Sequence, residues 1–459
     1  MKPSGPRRIR HVPVVDTDPL RRRPSSRARM VTIDVQSAST TAPTASDLLA
    51  TAAVRRVSPE ATPATKSGGP SDRPVSAIRP DVAAARHSAT GSSTGESPTT
   101  RGYAAPITAP SPDVPSASTV NELLAAARAG TGEITGALDG EPLLVVEAGA
   151  GSGVTEDVPV WLPCVVVALA DAPPAGAPPA AADIALCPRH TGDAPQGWVA
   201  VEDPGAELAR VRDQVLASPL AAVLFAQVLR AGEGLDVDAG LVLESLAYST
   251  LQRGPAFTDW LARRPETAPD VRAEPDEAVL VERRDDVLVV TLNRPHVRNA
   301  VDVRLRDGLA AALSLACADP SIAEVELRGA GSDFSSGGDL DTFGTLPDPA
   351  TAHVVRTARS PARLLAHLAA RVTAHLHGAC VGAGIELAAF AARVVAAPDT
   401  SCRLPEVSLG LVPGSGGTVS IPRRIGRQRT AWLGISGAVL EAERAATWGL
   451  VDEISRQSS

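Results

Sequence analysis

The spacing of apolar residues changes along the chain between a period of two, typical of strands, and a period near four, typical of helices. From residue 119, a helical stripe with Ser118 or Thr119 as its N-cap precedes four short apolar runs. These runs predict strands at 141–147, 160–169, 182–187 and 197–203. Helical spacing then predicts two or three amphipathic helices. We therefore expect a small α/β region at 119–204 and a helical segment at 205–264.

A more regular α/β alternation begins at residue 278 and predicts a further domain over 278–459. Its first two strands flank a charged turn. Asp302 is placed to cap the helix that follows, and Leu305, Leu309 and Leu313 recur every four residues on its apolar face. These three leucines are therefore expected to be buried.

The segments outside these regions have a different composition. Residues 1–118 are rich in Pro, Ser, Thr, Ala and Arg without a sustained apolar period, which predicts a disordered tail. Met30 lies within this tail and is a candidate for the true start. Residues 265–277, rich in Pro and acidic side chains, are expected to be a linker.

Charge and composition narrow the classes of partner. Residues 1–30 hold nine Lys and Arg, yet the formal net charge of the 459-residue chain is −8, so the remainder is acidic. An acidic body argues against nucleic acid as a partner. The chain has no apolar run long enough to span a membrane, so no membrane partner is expected and a cytoplasmic location is the default. The five cysteines are scattered, so neither a metal site nor a disulfide framework is expected.

Two glycine-rich turns carry the candidate chemistry. "FSSGGD" begins at Phe334 and "VGAGIE" begins at Val381, and each links a predicted strand to a predicted helix. Such turns allow a ligand close to the backbone and leave N–H groups unpaired at the helix start. Two of them side by side would direct two donors at one oxygen, as in an oxyanion hole. Taken singly, such a turn is more often only structural.

Five blocks of sequence occur together between residues 278 and 454: "LNRPHVRNAVD", "GAGSDFSSGGDL", "HGACVGAGIELA", "RLPEVSLGLVPGSGGT" and "ERAATWGLVDEI". In order and separation they resemble the enoyl-CoA hydratase/isomerase (crotonase) family. The resemblance implies an α/β fold, a spiral of ββα units, with an acyl-CoA thioester as ligand. It implies no cofactor beyond the CoA of the substrate, and a trimer-based homo-oligomer.

The resemblance also implies roles for individual residues. The backbone N–H groups of Gly338 and Ala383 would polarise the thioester carbonyl, and Glu386 and Glu406 would transfer protons. Substrate contacts are implied for Ala300, Asp339, Leu340 and Gly382. Two carboxyl groups that flank one water can activate it and protonate the α-carbon, provided that apolar surroundings keep one proton bound.

The expected activity is that of a lyase, an enoyl-CoA hydratase of fatty acid metabolism. The alternatives are an enoyl-CoA isomerase, a cofactor-independent arylacetyl-CoA dioxygenase of the same superfamily, and a catalytically silent scaffold that binds a partner. The family usually continues with C-terminal helices beyond the point that corresponds to Ser459. We expect the helices at 205–263 to cover the acyl pocket in their place. The strands at 142–203 resemble a degenerate copy of the same fold.

Overall fold

The chain folds into a small parallel sheet, a set of helices and a larger α/β region, in that order. The structure is a computed structural model that describes residues 117–130, 136–148, 157–189, 194–264, 275, 277–346 and 348–455. Its helices are α1 Ala117–Ala129, α2 Pro204–Ala217, α3 Pro219–Gly232, α4 Val237–Leu251, α5 Pro255–Arg263, α6 Val303–Ala318, α7 Pro349–Ala358, α8 Pro361–Leu368, α9 Ala383–Ala388, α10 Gly417–Ile425, α11 Arg427–Ser436 and α12 Ala442–Trp448.

The strands fall into three sheets. They are β1 Leu143–Glu147, β2 Val165–Leu169, β3 Ile184–Pro188, β4 Val199–Val201, β5 Val279–Arg284, β6 Val287–Leu292, β7 Glu324–Gly329, β8 Val372–Leu376, β9 Ala379–Val381, β10 Arg393–Ala396, β11 Ser401–Arg403, β12 Leu440–Glu441 and β13 Glu453–Ile454. Short 3₁₀ turns lie at Pro295–Val297, Leu340–Thr342, Ala369–Arg371 and Glu406–Leu409.

The first sheet is parallel, with strand order β1-β2-β3-β4. Alternate residues of β2 enter two different apolar clusters, because successive side chains of a strand point to opposite faces. Val165 and Val167 join the main core, whereas Val166 and Ala168 pack with Leu124 of α1. Burial of both faces explains why the strands read as continuous apolar runs.

Four helices follow this sheet where two or three were predicted. Pro219 occupies the first turn of α3 and separates it from α2, because proline fits a first helical turn but not an interior. Gly254 and Pro255 similarly separate α4 from α5. α4 packs closely on α10: a Cβ added at Gly240 would lie 2.9 Å from Cγ2 of Val419.

Three local predictions were wrong. α1 begins at Ala117, so Ser118 and Thr119 lie inside the helix and neither is its N-cap. β2 begins only at Val165, because the preceding Pro163 has no N–H to donate to a sheet. The turn that starts at Phe334 leads into a 3₁₀ turn at Leu340–Thr342, and a regular helix begins only with α7.

The larger sheet has the order β13-β10-β8-β7-β6-β5, in which only the β5–β6 pair is antiparallel. The third sheet, β12-β11-β9, lies beside the site described below. The predicted cap of α6 is confirmed: Asp302 accepts a hydrogen bond of 2.8 Å from Leu305 N–H. Leu305, Leu309 and Leu313 are fully buried, as the sequence predicts.

A buried ion network joins the small sheet to the larger region. Asp183, which precedes β3, accepts hydrogen bonds of 2.9 Å from Arg230 of α3 and from Arg427 of α11. Its other oxygen accepts from the N–H of Val166 at 2.8 Å. All three charged side chains are at most 5% exposed. Removing Asp183 would therefore leave the buried Arg230 guanidinium without its carboxylate partner, whereas Arg427 would keep its ion pair with Glu233.

Several predictions fall outside the described residues. These are the tail at 1–118, apart from its last two residues, and almost all of the linker at 265–277. In the part of the chain that is described, no single helix is long and apolar enough to cross a membrane. Taken together, α2 and α3 are long and apolar enough to pass that test, but the chain bends by 107° between them.

Candidate active site

The two glycine turns lie side by side. Ser335 of the first turn forms a parallel bridge with Cys380, and its carbonyl accepts the N–H of Val381 at 2.9 Å. Gly337 has φ +91°, and a Cβ there would lie 2.7 Å from the carbonyl oxygen of Val381. Glycine is therefore required at 337 both by the backbone angle and by the close approach of the second turn.

Two backbone N–H groups lie free where the turns meet. Within the described ranges, the N–H groups of Gly338 and Ala383 donate to no acceptor. The neighbours of Gly338 are fixed instead: Val301 N–H donates to Gly337 at 2.7 Å, and Asp339 N–H donates to Val301 at 3.0 Å. Ala383 begins α9, so its N–H has no acceptor inside the helix. The free donors are thus carried by backbone that is held on both sides.

Glu386 lies on α9 with its side chain only 2% exposed. Its Oε2 accepts two backbone hydrogen bonds, from Ser415 N–H at 2.7 Å and from Gly417 N–H at 2.9 Å. Both donors belong to residues 413–418, the segment "PGSGGT", which we call the glycine loop. Two N–H donors on one oxygen favour the ionised form of this carboxyl group.

Glu406 begins the 3₁₀ turn after β11 and is 9% exposed. Its Oε2 is buried and has no hydrogen-bond partner among the described residues. Its Oε1 is so close to Gly382 that a Cβ at that position would collide with it. Oε1 of Glu386 lies 3.8 Å from the same Cβ position. The two carboxyl groups therefore face one point beside Gly382.

Burial raises the pKa of both glutamates. For Glu386, desolvation is the largest cause, followed by the charges of Glu406 and Glu244, and the two loop N–H groups oppose the rise. For Glu406, desolvation raises the pKa to about 8, and the charge of Arg403 opposes it. Because two adjacent buried carboxyl groups titrate as a pair, the pair retains a proton at neutral pH.

The structure adds a third carboxyl group that sequence reasoning missed. Glu244 of α4 is 2% exposed and accepts hydrogen bonds from Gly416 N–H at 2.7 Å and from Thr418 N–H at 2.9 Å. Burial raises its pKa to about 7, against the opposing hydrogen bonds of Thr418. The signal in the sequence was one acidic residue within the apolar stretch "GLVLESLA", which is rarely buried without a partner.

Tyr248 and Arg356 complete the surroundings of the glutamates. A Cβ at Gly414 would lie 2.7 Å from the ring of Tyr248, so the phenol packs directly on the glycine loop. The Arg356 guanidinium lies 4.3 Å from the centre of that ring and donates to Oγ of Ser245 at 2.8 Å. Burial raises the pKa of Tyr248 and lowers that of Arg356. Helices α4 and α7 thus contribute polar groups close to the acids.

The residues implied to contact substrate lie in different settings. Asp339 forms an ion pair of 3.1 Å with Arg294, whose guanidinium also donates to the carbonyl of Ala300 at 2.7 Å. Leu340 is 45% exposed. Gly382 N–H donates to the carbonyl of Arg403 at 2.9 Å, so this N–H is already used. Only Gly382 of these four lies against the two glutamates, and substrate contact by all four stays a prediction.

The described residues offer little for a metal or a thiol nucleophile. Within them, no group of three or more His, Cys, Asp or Glu side chains could hold a metal ion. Cys380 and Cys402 face each other across β9 and β11. Burial raises the pKa of the Cys380 thiol, which favours the neutral, unreactive form.

The family model for "Enoyl-CoA hydratase/isomerase" matches residues 282–458. The 2,3-dehydroadipyl-CoA hydratase of Escherichia coli (strain K12) is 35% identical over 176 residues, which are 38% of this chain and 68% of that protein. This chain belongs to the enoyl-CoA hydratase/isomerase family. The predicted crotonase-like α/β class is therefore confirmed, and the small sheet with helices α2 to α5 precedes the family region.

Two further matches, one by sequence and one to a solved structure, add to this comparison. The 1,2-epoxyphenylacetyl-CoA isomerase of the same bacterium is 34% identical over 183 residues, 39% of this chain and 70% of that protein. The crystal structure of enoyl-CoA hydratase from Thermoplasma volcanium GSS1 aligns with 33% identity and a TM-score of 0.36, over 39% of this chain and 72% of that one. By sequence, a protein named as a hydratase and one named as an isomerase are thus both relatives of this chain.

Proposed function

We propose that this crotonase-family chain is an enoyl-CoA hydratase that adds water across the C2=C3 bond of a 2-enoyl-CoA thioester. The observation that carries the proposal is the pair Glu386 and Glu406, two buried carboxyl groups that face one point beside Gly382. The CoA belongs to the substrate, and no further cofactor is part of the proposal. A homo-oligomer also remains a proposal.

The two glutamates have different hydrogen-bond environments, which assigns them different roles. Burial raises the pKa of both glutamates, so the pair shares a proton, and the two N–H donors to Oε2 of Glu386 favour the charge on Glu386. Glu386 then takes a proton from water as the water oxygen bonds to C3. Oε2 of Glu406 has no partner among the described residues, and its pKa is raised to about 8, so Glu406 carries the proton that is delivered to C2. One proton enters the substrate and one leaves water, so the pair is restored by proton exchange between the two groups.

The negative charge that develops on the thioester oxygen requires donors. The N–H groups of Gly338 and Ala383 are free and lie where the two turns meet, which supports their role as the oxyanion hole. Because these donors are backbone groups in fixed turns, they need no reorganisation as the enolate forms. Ala383 presents a methyl group as well, which restricts the space beside the acyl chain.

The test compares the wild-type protein with Glu386→Gln and Glu406→Gln. Each protein is assayed for hydration of 2-enoyl-CoA thioesters of several chain lengths in water labelled with oxygen-18. Each variant should lower kcat by about 10²–10⁴, because each loses one proton-transferring group. The loss of kcat in the double variant should be much smaller than the product of the two single losses, since the groups act as one unit. Glu441→Gln, the same chemical change at an exposed site of the family region, should hydrate at the wild-type rate.

The same assay separates the alternatives. A double-bond isomerase needs one carboxylate to move its proton, so one of the two variants would keep full activity and no oxygen-18 would enter the product. Near-wild-type hydration in both folded variants would end the two-glutamate mechanism. Oxygen consumption with an arylacetyl-CoA would instead reveal the dioxygenase, and no turnover at all would favour the silent scaffold.

A further inference from the structure

The glycine loop is held from two sides in strict alternation. The N–H groups of Ser415 and Gly417 donate to Glu386, and those of Gly416 and Thr418 donate to Glu244. The hydroxyl of Thr418 adds a third hydrogen bond to Glu244, at 2.8 Å. Four successive N–H groups thus point alternately to a carboxylate of the family region and to one of α4.

Both oxygens of Glu244 are used in this arrangement. Oε1 accepts from Gly416 and Oε2 accepts from Thr418, with donor–acceptor distances of 2.7 and 2.9 Å. Glu244 is buried, so these bonds replace the hydration that its carboxyl group has lost. A loop of small residues has few side chains of its own to fix it, so these bonds hold it in place together with the rings of Tyr248 and Phe390 that pack on it.

We propose that Glu244 is a positioning residue for Glu386: it holds the glycine loop so that Ser415 and Gly417 direct their N–H groups at the Glu386 carboxylate. Glu244 does not touch the reacting atoms. It acts from α4, 142 positions earlier in the sequence, and outside the residues that the family model matches. The proposal rests on the proposed function for its effect on turnover, and its effect on the loop is measurable without turnover.

Glu244→Gln tests the proposal because an amide has only one acceptor oxygen. Its NH₂ group must face either Gly416 N–H or Thr418 N–H, so one of the two bonds is lost. Two quantities are measured on the full chain: hydrogen–deuterium exchange of a peptide that spans 413–418, and kcat and KM for 2-enoyl-CoA hydration. Asp238→Asn, the same change at an exposed position of α4, is the control and should leave both at wild-type values.

The loop amides should exchange faster in Glu244→Gln, including Ser415 and Gly417, which do not contact Glu244. The kcat for hydration should fall about 10²-fold in Glu244→Gln, since a displacement of about 1 Å at a reacting group has an effect of that size. KM should change little. In a Glu386→Gln background, Glu244→Gln should have almost no further effect on kcat, because residues that act through each other are not additive.

Two results would overturn the proposal. One is that Glu244→Gln lowers kcat by the same factor in the Glu386→Gln background as in the wild-type protein. The other is that the loop amides of Glu244→Gln exchange at the wild-type rate. If wild-type protein does not hydrate enoyl-CoA, the proposed function fails, and the exchange result alone decides whether Glu244 holds the loop. If Glu244→Gln does not fold, Thr418→Val replaces it, since it removes only the hydroxyl donor. That variant should show faster loop exchange and about a tenfold loss of kcat, and wild-type values for both would overturn the proposal.

Discussion

Gly382→Ala should separate the position of Glu406 from the stability of the fold. Gly382 has φ +49° and ψ −121°, a backbone conformation that residues with a Cβ rarely adopt. Strain of this kind costs about 1–3 kcal/mol. The added Cβ would also collide with Oε1 of Glu406, so the carboxyl group has to move. We expect the displacement to lower kcat for hydration by about 10²-fold.

Gly449→Ala is the matched control. Gly449 also has a positive φ, of +82°, but a Cβ there would meet nothing closer than the carbonyl oxygen of Arg424 at 3.7 Å. This variant should lose about 1–2 kcal/mol of stability from the left-handed backbone alone. Its hydration rate should stay at the wild-type value, because the residue is not near the glutamates.

Both variants should be compared by urea unfolding and by kcat under conditions in which each is folded. A loss of 1 kcal/mol should lower the midpoint of thermal unfolding by about 2–4 °C for a region of this size. The expected pattern is destabilisation in both variants, with loss of turnover only in Gly382→Ala. A folded Gly382→Ala protein with wild-type hydration would refute the reasoning that Glu406 must stay beside Gly382.

Three other predictions follow from the same structure. Gly338→Pro removes one free N–H and should lower kcat by about 10²–10³ relative to Gly338→Ala, which adds a comparable Cβ but keeps the donor; equal rates would exclude this N–H from the mechanism. The pKa of Glu406 is raised from 4.5 to about 8, so the folded state binds a proton that the unfolded state has lost, and stability should fall as pH rises through that window. Glu406→Gln should flatten this fall by up to about 1.4 kcal/mol per pH unit, as followed by urea unfolding at several pH values; an unchanged slope would contradict the raised pKa. Asp183→Ala leaves the buried Arg230 guanidinium without its carboxylate partner and removes one of the two carboxylates that pair with Arg427, so it should cost about 3–5 kcal/mol in the free energy of unfolding. Glu453→Gln, which breaks an exposed pair with Arg393, should cost less than about 1 kcal/mol, and equal losses in these two variants would contradict the argument.

Local chemistry explains which parts of the fold were predictable from sequence. The cap by Asp302 and the stripe of Leu305, Leu309 and Leu313 depend on residues a few positions apart, and both predictions were correct. The N-cap of α1 was wrong because Ser118 and Thr119 can cap a helix or continue one, and the sequence holds no local feature that decides between them. The sequence predicted two or three helices in this segment and the structure has four, with Pro219 and Pro255 in the first turns of α3 and α5.

Long-range contacts explain what the sequence could not show about the site. The approach of Glu386 and Glu406 to Gly382 was expected only through the family resemblance, since no local pattern brings them together. Glu244 and the alternating bonds of the glycine loop were not predicted, because the contact depends on how α4 packs against α10. Its acidic side chain in an apolar stretch was a visible sign of a buried partner, but the partner is a set of backbone groups and leaves no trace in composition.

The alternating attachment of the glycine loop constrains its length, and close packing separately constrains its glycines. Because successive N–H groups point to opposite sides, inserting or deleting a single residue between Pro413 and Thr418 would exchange the two sets of donors. Glu386 would then face the N–H groups that now donate to Glu244, and Glu244 would face those that now donate to Glu386. The identity of the side chain at Ser415 can vary without this consequence, since only its backbone is used. Variation in this segment should therefore be confined to substitutions at positions such as Ser415 and should leave the number of residues unchanged, because α4 and the family region both bind the loop by that spacing.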